Sequence, residues 1–502
     1  MNHLLLLLPL LIPLYAAILC LFFWRYVKVQ QYIAVLAQAG LLVSTFLLLL
    51  EVNTNGIATT QIGNWPAPFG ITLAADLFSC LMVLTGSIVG MAIHLFSIKG
   101  LDRGRQTFGY YPILLLLQLG IGGVCLTGDL FNMFVWFELL LICCFVLIAL
   151  GGTKPQLEGA IKYVTINLLA SGFLLTGIGL VYGITGTLNL AELGLMARAP
   201  MTHPSMVTLA GMFFLVAFGT KAAIFPLFFW LPASYHTPPI AISSFIAGLL
   251  TKVGMYAMIR LFTLVFIQDK GLMLPLFTVL AGLTMVIGVL GAASQNDFRK
   301  ILSFHIVSQI GYMLMGLAIS TPLALAGSIY FIMHNVLVKT NLFLISGVVA
   351  HRHGTYALKK LGSVYLQHPF LSLLFFISAF SLAGIPPFSG FWGKFMLAKA
   401  GFEADYFGLV LTSLAVSLLT IFSMTKIWNE VFWKRKPETD PLLEVMTEAD
   451  LRVNRLLHLP VVFLVVFILF IGVYAEPTVA LAQRAAEQLL NSEMYINAVL
   501  KR

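Results

Sequence analysis

The sequence predicts an all-α polytopic membrane protein of about fourteen transmembrane helices. Three observations lead there. The chain of 502 residues is 60% hydrophobic and only 10% charged, against roughly 25% charge in a soluble domain. Runs of about 20 apolar residues, the length that crosses a bilayer as a helix, recur from one end to the other. The links between many runs are very short, as in "TGD" (127–129), so neighbouring helices are antiparallel and packed.

Taken in order, hydropathy places spans near 3–24, 30–50, 71–98, 111–128, 130–150, 158–184, 207–235, 239–267, 272–293, 300–320, 323–350, 370–400, 406–432 and 459–476. The first run, "MNHLLLLLPLLIPLYAAILCLFFWRY", has no basic leader and no small-residue cleavage site, and reads as a retained span. The longest polar segments, 51–70, 185–205 and 434–457, are too short for a separate domain. With the N-terminus outside, 17 lysines and arginines fall in loops on the inner side, including "WKRK" (433–436), Arg452 and Arg455. Only six fall outside: Arg198, Arg260, Lys270, Arg484, Lys501 and Arg502. That bias sets the orientation and accounts for the net charge of +9 without a nucleic-acid partner. Cys20, Cys80, Cys125, Cys143 and Cys144 all lie in apolar runs without metal or redox spacing. No phosphate loop, nucleophile elbow or metal motif is present, so chemistry on a soluble substrate is not expected, nor a cofactor or metal.

Six lysines belong to no loop: Lys221, Lys252, Lys339, Lys394, Lys399 and Lys426; Glu138 sits mid-span in "DLFNMFVWFELLLICCFVLIAL". A lysine stem reaches about 6 Å, whereas the centre of a ~30 Å core is about 15 Å from either face. Lys399 and Lys426 lie close enough to a span end to snorkel; Lys221, Lys252 and Lys339 do not. Charges this deep face the bundle interior, paired or wetted. Four central lysines, counting Lys394, face one central glutamate, which is a poor way to hold helices together. It suits proton transfer, because burial and a neighbouring carboxylate push a lysine's proton affinity in opposite directions. His334 shares a span with Lys339, and His305 lies in "ILSFHIVSQIGY". Asp76 and His94 fall in the third span, outside this lysine-rich region.

Pro226 is expected to break the seventh span just after Lys221, and Pro386–Pro387 the twelfth span before Lys394. Unwound backbone at membrane depth is tolerated only where it is buried in protein or lines water. Two interrupted spans at corresponding places point to inverted repeats of a transporter. Five spans in each set force opposite topology, and Lys221 then corresponds to Lys394 and Lys252 to Lys426. The expected organisation is a three-helix segment (1–110), a five-helix repeat (111–267), a second, inverted five-helix repeat (268–432), and a cytoplasmic loop, last helix and tail (433–502).

These features resemble the antiporter-like subunits shared by respiratory complex I, membrane-bound hydrogenases and Mrp-type cation/proton antiporters. The similarity covers nearly the whole chain through "FNMFVWFELLLI", "AFGTKAAIFPLFFWLPASYHTPP", "SSFIAGLLTKVGMY", "QNDFRKILSFHIVSQIGYM" and "AGIPPFSGFWGKF". The resemblance implies that Glu138 is the fifth-helix glutamate and Lys221 the seventh-helix lysine that pairs with it, within ion-pair reach. Lys252 becomes the central eighth-helix lysine, His334 and Lys339 the eleventh-helix relay, and Lys394 the twelfth-helix terminal group. Length, Lys394 and "GDLFNMFVWFEL" are most similar to the D-type subunits of Mrp Na+/H+ antiporters. Complex I subunits of closest size typically carry a glutamate where Lys394 stands, and the tail from Glu476 is too short for the lateral arm of the largest members.

The resemblance thus implies a transporter subunit rather than an enzyme. It would move protons in the cell membrane with the other subunits of an assembly that exchanges them for Na+ or another monovalent cation. The alternative it leaves open is a proton-pumping subunit of NADH:quinone oxidoreductase or a membrane-bound hydrogenase. A scaffold with inert charges is the third reading.

Overall fold

The computed structural model describes residues 3–199, 203–435 and 448–501, most of them helical. The chain starts with α1 (His3–Phe22) and α2 (Val27–Asn55), then a hairpin of β1 (Ala58–Gln61) and β2 (Thr72–Ala75). Its register pairs Ala58 with Ala75 and Gln61 with Thr72, antiparallel. Next come α3 (Leu77–Gly100), the short α4 (Arg103–Thr107), α5 (Tyr110–Leu126), α6 (Leu130–Ala149), α7 (Lys154–Thr185) and the short α8 (Leu190–Met196). The middle of the chain forms α9 (Pro204–Ala222), α10 (Trp230–Ser234), α11 (Ile240–Leu264), α12 (Lys270–Ser294), α13 (Phe298–Ile319) and α14 (Pro322–His353). It closes with α15 (Val364–Gln367), α16 (Pro369–Ala383), α17 (Ser389–Glu403), α18 (Phe407–Ile427), α19 (Glu448–Val473), α20 (Ala475–Leu490) and α21 (Ser492–Leu500).

Among the described residues twelve helices are long and apolar enough to cross a membrane, and α5 and α16 are shorter apolar helices. The third predicted span begins late: Thr72–Ala75 pair as β2, and the helix starts only after Asp76 caps it by accepting from Ser79 N at 2.9 Å. Asp129, Asn189, Asp297 and Thr321 cap later helices in the same way, satisfying backbone donors that would otherwise be orphaned. The apolar stretches of α11 and α14 are buried throughout and that of α13 over 94%, whereas α1, α2, α7, α12 and α18 are buried over only 39%. The first three therefore form the interior, and the others present apolar faces outward, as lipid contact requires.

The loops gather at two ends. Arg105 reaches Leu150 O, Arg299 reaches Pro238 O, Asp297 bridges to Ala357, and Ser363 N donates to Lys434 O. This is the basic end. At the opposite end Gly128 N donates to Thr72 O, Leu190 N to Gly128 O, and Arg198 pairs with Glu493 at 2.7 Å. The helices α20 and α21 lie there too, with Gln488 accepting from Leu77 N and Ala498 O from Thr59. Lys436 and the rest of 436–447 in the polar segment 434–457, residues 200–202, Arg502, and the side chains of Arg452 and Arg455 fall outside the described residues. One expected loop residue is misplaced: Arg260 lies within α11, buried, because that helix continues unbroken to Leu264.

Candidate functional site

Two helices stop in the middle of the bundle. A proline ring clashes with the carbonyl four residues before it. α9 ends at Ala222, four residues before Pro226, and α16 at Ala383, four before Pro387. Each end turns through a left-handed residue, Ala223 (φ 62°) and Gly384 (φ 87°). The following Ile224 and Ile385 donate back to Gly219 O and Phe380 O, as a Schellman termination does. Freed groups at the breaks find side chains: Phe225 N donates to Thr284 Oγ1 at 3.0 Å, and Thr220 O accepts from the Trp230 indole at 3.0 Å.

Lys221 occupies the last turn of α9 and is 7% exposed. Its amine donates to Ser171 Oγ of α7 at 3.2 Å and lies 5.1 Å from the Phe137 ring centroid. A cavity of about 20 Å³, lined also by Tyr163, Asn167, Tyr235 and Leu250, adjoins it, with room for about one water. The expected ion pair with Glu138 is not closed at 4.0 Å. Successive helical residues point about 100° apart. Phe137 takes the face of α6 toward α9, its ring 5.4 Å from that of Phe218. Glu138 is half-buried beside it, with Oε1 buried and unpartnered, and acts on Lys221 only through space.

The second group lies deeper. Lys252 in α11 is wholly buried, and its amine folds back to Ala247 O at 2.8 Å. Lys339 in α14 is equally buried and its amine has no hydrogen-bond partner. His334 Nδ1 is 2.8 Å from Ser389 Oγ, itself 2.7 Å from Ser381 Oγ, which ties α14 to both halves of the second broken helix. Lys394 in α17, partly exposed, reaches back to Ala383 O at 2.9 Å and Ser417 Oγ at 3.1 Å, 4.8 Å from the Tyr312 ring centroid. Lys339 is within electrostatic reach of Lys252 and Lys394, and His334 and His305 of Lys339 and Lys394. Gly248 permits this closeness, since a Cβ there would lie 2.1 Å from Thr340 Oγ1 of α14.

The structure thus brings Lys252, His334, Lys339 and Lys394 together, and sets Glu138 and Lys221 apart as a second group. The helices of the two groups touch: a Cβ on Gly254 of α11 would lie 2.9 Å from Ala222 N. Lys426 takes no part in either group. It donates to Ala293 O and Gln295 O at the end of α12, so its surroundings differ from those of Lys252. Lys399 is exposed, 3.8 Å from Glu403.

Sequence reasoning missed one buried ion pair altogether. Arg260 of α11 and Asp76, the cap of α3, meet at 2.6 Å with 6% and 3% side-chain exposure, and the Phe78, Tyr256 and Tyr495 rings surround the guanidinium. The available signal was an arginine eight residues past Lys252 in an unbroken apolar run. The serines that hold Lys221, His334 and Lys394 carried no such signal.

Residues 127–420 match the family described as NADH:quinone oxidoreductase/Mrp antiporter, TM. The chain is 45% identical over 501 residues to the D-type Na(+)/H(+) antiporter subunit of Alkalihalophilus pseudofirmus, covering all of both chains. It is 42% identical over 494 residues to that of Bacillus subtilis, covering 98% of this chain and 99% of the relative. A chain in the structure of the Mrp complex from Dietzia sp. DQ12-45-1b superimposes with a TM-score of 0.92 at 30% identity, over the full length of both. The chain belongs to the family of D-type Mrp Na+/H+ antiporter subunits, within the wider family of complex I-like antiporter subunits.

Proposed function

We propose that this chain is the proton-translocating membrane subunit of a multisubunit Na+/H+ antiporter in the plasma membrane, with its N-terminus outside and its basic end in the cytoplasm. Protons pass inward through Glu138, Lys221, Lys252, His334, Lys339 and Lys394 while the assembled complex expels Na+ or another monovalent cation. The segments 111–267 and 268–432 act as inverted repeats, each with one broken helix, behind the helices of 1–110 and ahead of those of 433–502.

One observation carries the mechanism. Lys339 sits within electrostatic reach of both Lys252 and Lys394, and among the described residues no carboxylate lies within ion-pair distance of any of the three. Ammonium groups that close repel strongly where the dielectric is low. A proton arriving on one site therefore favours release from the next, and charge moves laterally along the row. Glu138 and Lys221 form the loading group, joined to the row through the cavity that Lys221 shares with Leu250 of α11, which has room for about one water. Full-length likeness to D-type antiporter subunits favours this setting over a redox complex.

The test is exchange in vesicles that hold the purified complex. Glu138→Ala and Lys221→Ala are each expected to abolish Na+-driven proton movement while the complex still co-purifies. Near-normal exchange by both variants refutes the reading.

A further inference from the structure

The lysine row uses nothing in α2, α3 and α5, yet these helices bury a line of polar side chains. It starts at the basic end, where Gln31 of α2 donates to Gln106 Oε1 of α4 at 2.8 Å. Gln106 donates to Ser97 O at 3.0 Å, and the Ser97 hydroxyl meets that of Tyr110 at 2.5 Å. One turn deeper, His94 is wholly buried. Its Nδ1 lies 2.8 Å from Gly90 O. A carbonyl can only accept, so Nδ1 carries the hydrogen and Nε2 the lone pair.

At mid-bundle two amides face the same point on α3. A Cβ on Gly90 would lie 2.4 Å from Gln38 Nε2 and 3.2 Å from Gln118 Oε1, so both amides pack against this glycine, with Gln38 Nε2 donating to Ser87 O at 3.0 Å. Beyond it, the Ser87 and Thr45 hydroxyls pair at 3.0 Å. Three atoms along this line are buried with no hydrogen-bond partner: His94 Nε2, Gln38 Oε1 and Gln118 Oε1. Buried polar atoms are rarely left so, and several in one place mark a site built for water. The inner end abuts α11. A Cβ on Gly86 would lie 3.5 Å from Gln118 Nε2 and 3.7 Å from Leu249 Cδ2. Leu249 is one turn before Lys252, whose amine folds back toward this level.

We propose that this file through α2, α3 and α5 is a second access route for protons, running on water from the basic end to the level of Lys252, with His94 as its relay. His94 takes a proton on Nε2 and releases it from the same nitrogen, while Nδ1–H stays on Gly90 O. The proposal rests on the lysine-row reading.

The complete complex in vesicles tests it twice. Gln118→Cys should react with 2-aminoethyl methanethiosulfonate added at the basic end about tenfold faster than Leu117→Cys, its fully buried neighbour, because a dry site excludes a charged reagent. The pair Gln38→Leu with Gln118→Leu, which keeps size but not polarity, should lower exchange by about tenfold with subunits retained, since a dry step raises the barrier. Equal labelling of the two thiols overturns the route. So does full exchange in the leucine pair while Lys221→Ala is inactive, which leaves the lysine row standing. Full exchange in Glu138→Ala and Lys221→Ala removes the row and the route together.

Discussion

Replacing Lys339 by methionine is expected to make the protein more stable and less active. The amine of Lys339 is fully buried at the centre of α14, the most enclosed long helix with α11, and no acceptor reaches it. A buried donor without a partner costs about 1–3 kcal/mol even when uncharged, and a lysine ammonium at the centre of a span about 2.5–3.5 kcal/mol on insertion scales. Methionine keeps the length of the stem and its packing, and swaps of this kind cost little in a core. The expected net gain is therefore about 1–3 kcal/mol, read as a rise of a few degrees in the temperature at which the detergent-purified complex falls apart. Exchange should fall because the lateral row loses the member between Lys252 and Lys394. Stability and transport thus move in opposite directions, as expected where a site holds strain for function. A variant that melts lower than the parent refutes the claim that this amine is unpartnered. A variant that exchanges at the parental rate refutes its place in the path.

Asp76→Asn keeps the cap on α3 but leaves Arg260 unpaired in a dry site, so it should cost about 3–5 kcal/mol; Asp76→Ala adds about 1 kcal/mol for the lost cap. Asp76→Asn combined with Arg260→Met should recover most of that stability, with exchange per assembled complex close to parental in both; a double variant no better than the single contradicts the pairing. Lys394→Arg should lose exchange as Lys394→Ala does, because a guanidinium holds its proton at any accessible pH; an active arginine variant means that a fixed charge suffices there.

The helix breaks were legible because one local rule, the clash of a proline with the carbonyl four residues back, acts through neighbouring residues alone. The buried lysines were legible because a charge in an apolar run has few places to go. What surrounds each lysine was not legible. Ser171 is fifty residues from Lys221, and Ser417 twenty-three from Lys394, and a serine in a span reads like any small residue. The facing of Glu138 turned on whether it or Phe137 looks at α9, a rotation that an all-apolar helix leaves open because every face is equally greasy. Arg260 was counted with the outer loop residues although it falls inside the span 239–267: a charge near the end of a run reads as a boundary residue, and nothing local shows that an aspartate from another helix waits for it.

The two breaks show what the buried amines have in common. "AAIFP" (222–226) and "AGIPP" (383–387) end α9 and α16 in the same way, and each leaves carbonyls at a helix C-terminus inside the bundle, where a cation is favoured. Aligning the breaks puts Leu382 opposite Lys221 and Ala233 opposite Lys394, so the two lysines do not correspond in register. Lys221 lies in the last turn of its own half-helix, while Lys394 comes from the helix after the break and reaches back to Ala383 O. Between them Lys252 has one carbonyl of its own helix and Lys339 has nothing. A cation is thus best solvated at the two breaks and worst at Lys339, which suits storage at the ends and brief occupancy in the middle. The likeness between the two breaks is one of electrostatic position, a cation at a half-helix C-terminus, reached from opposite sides of the break.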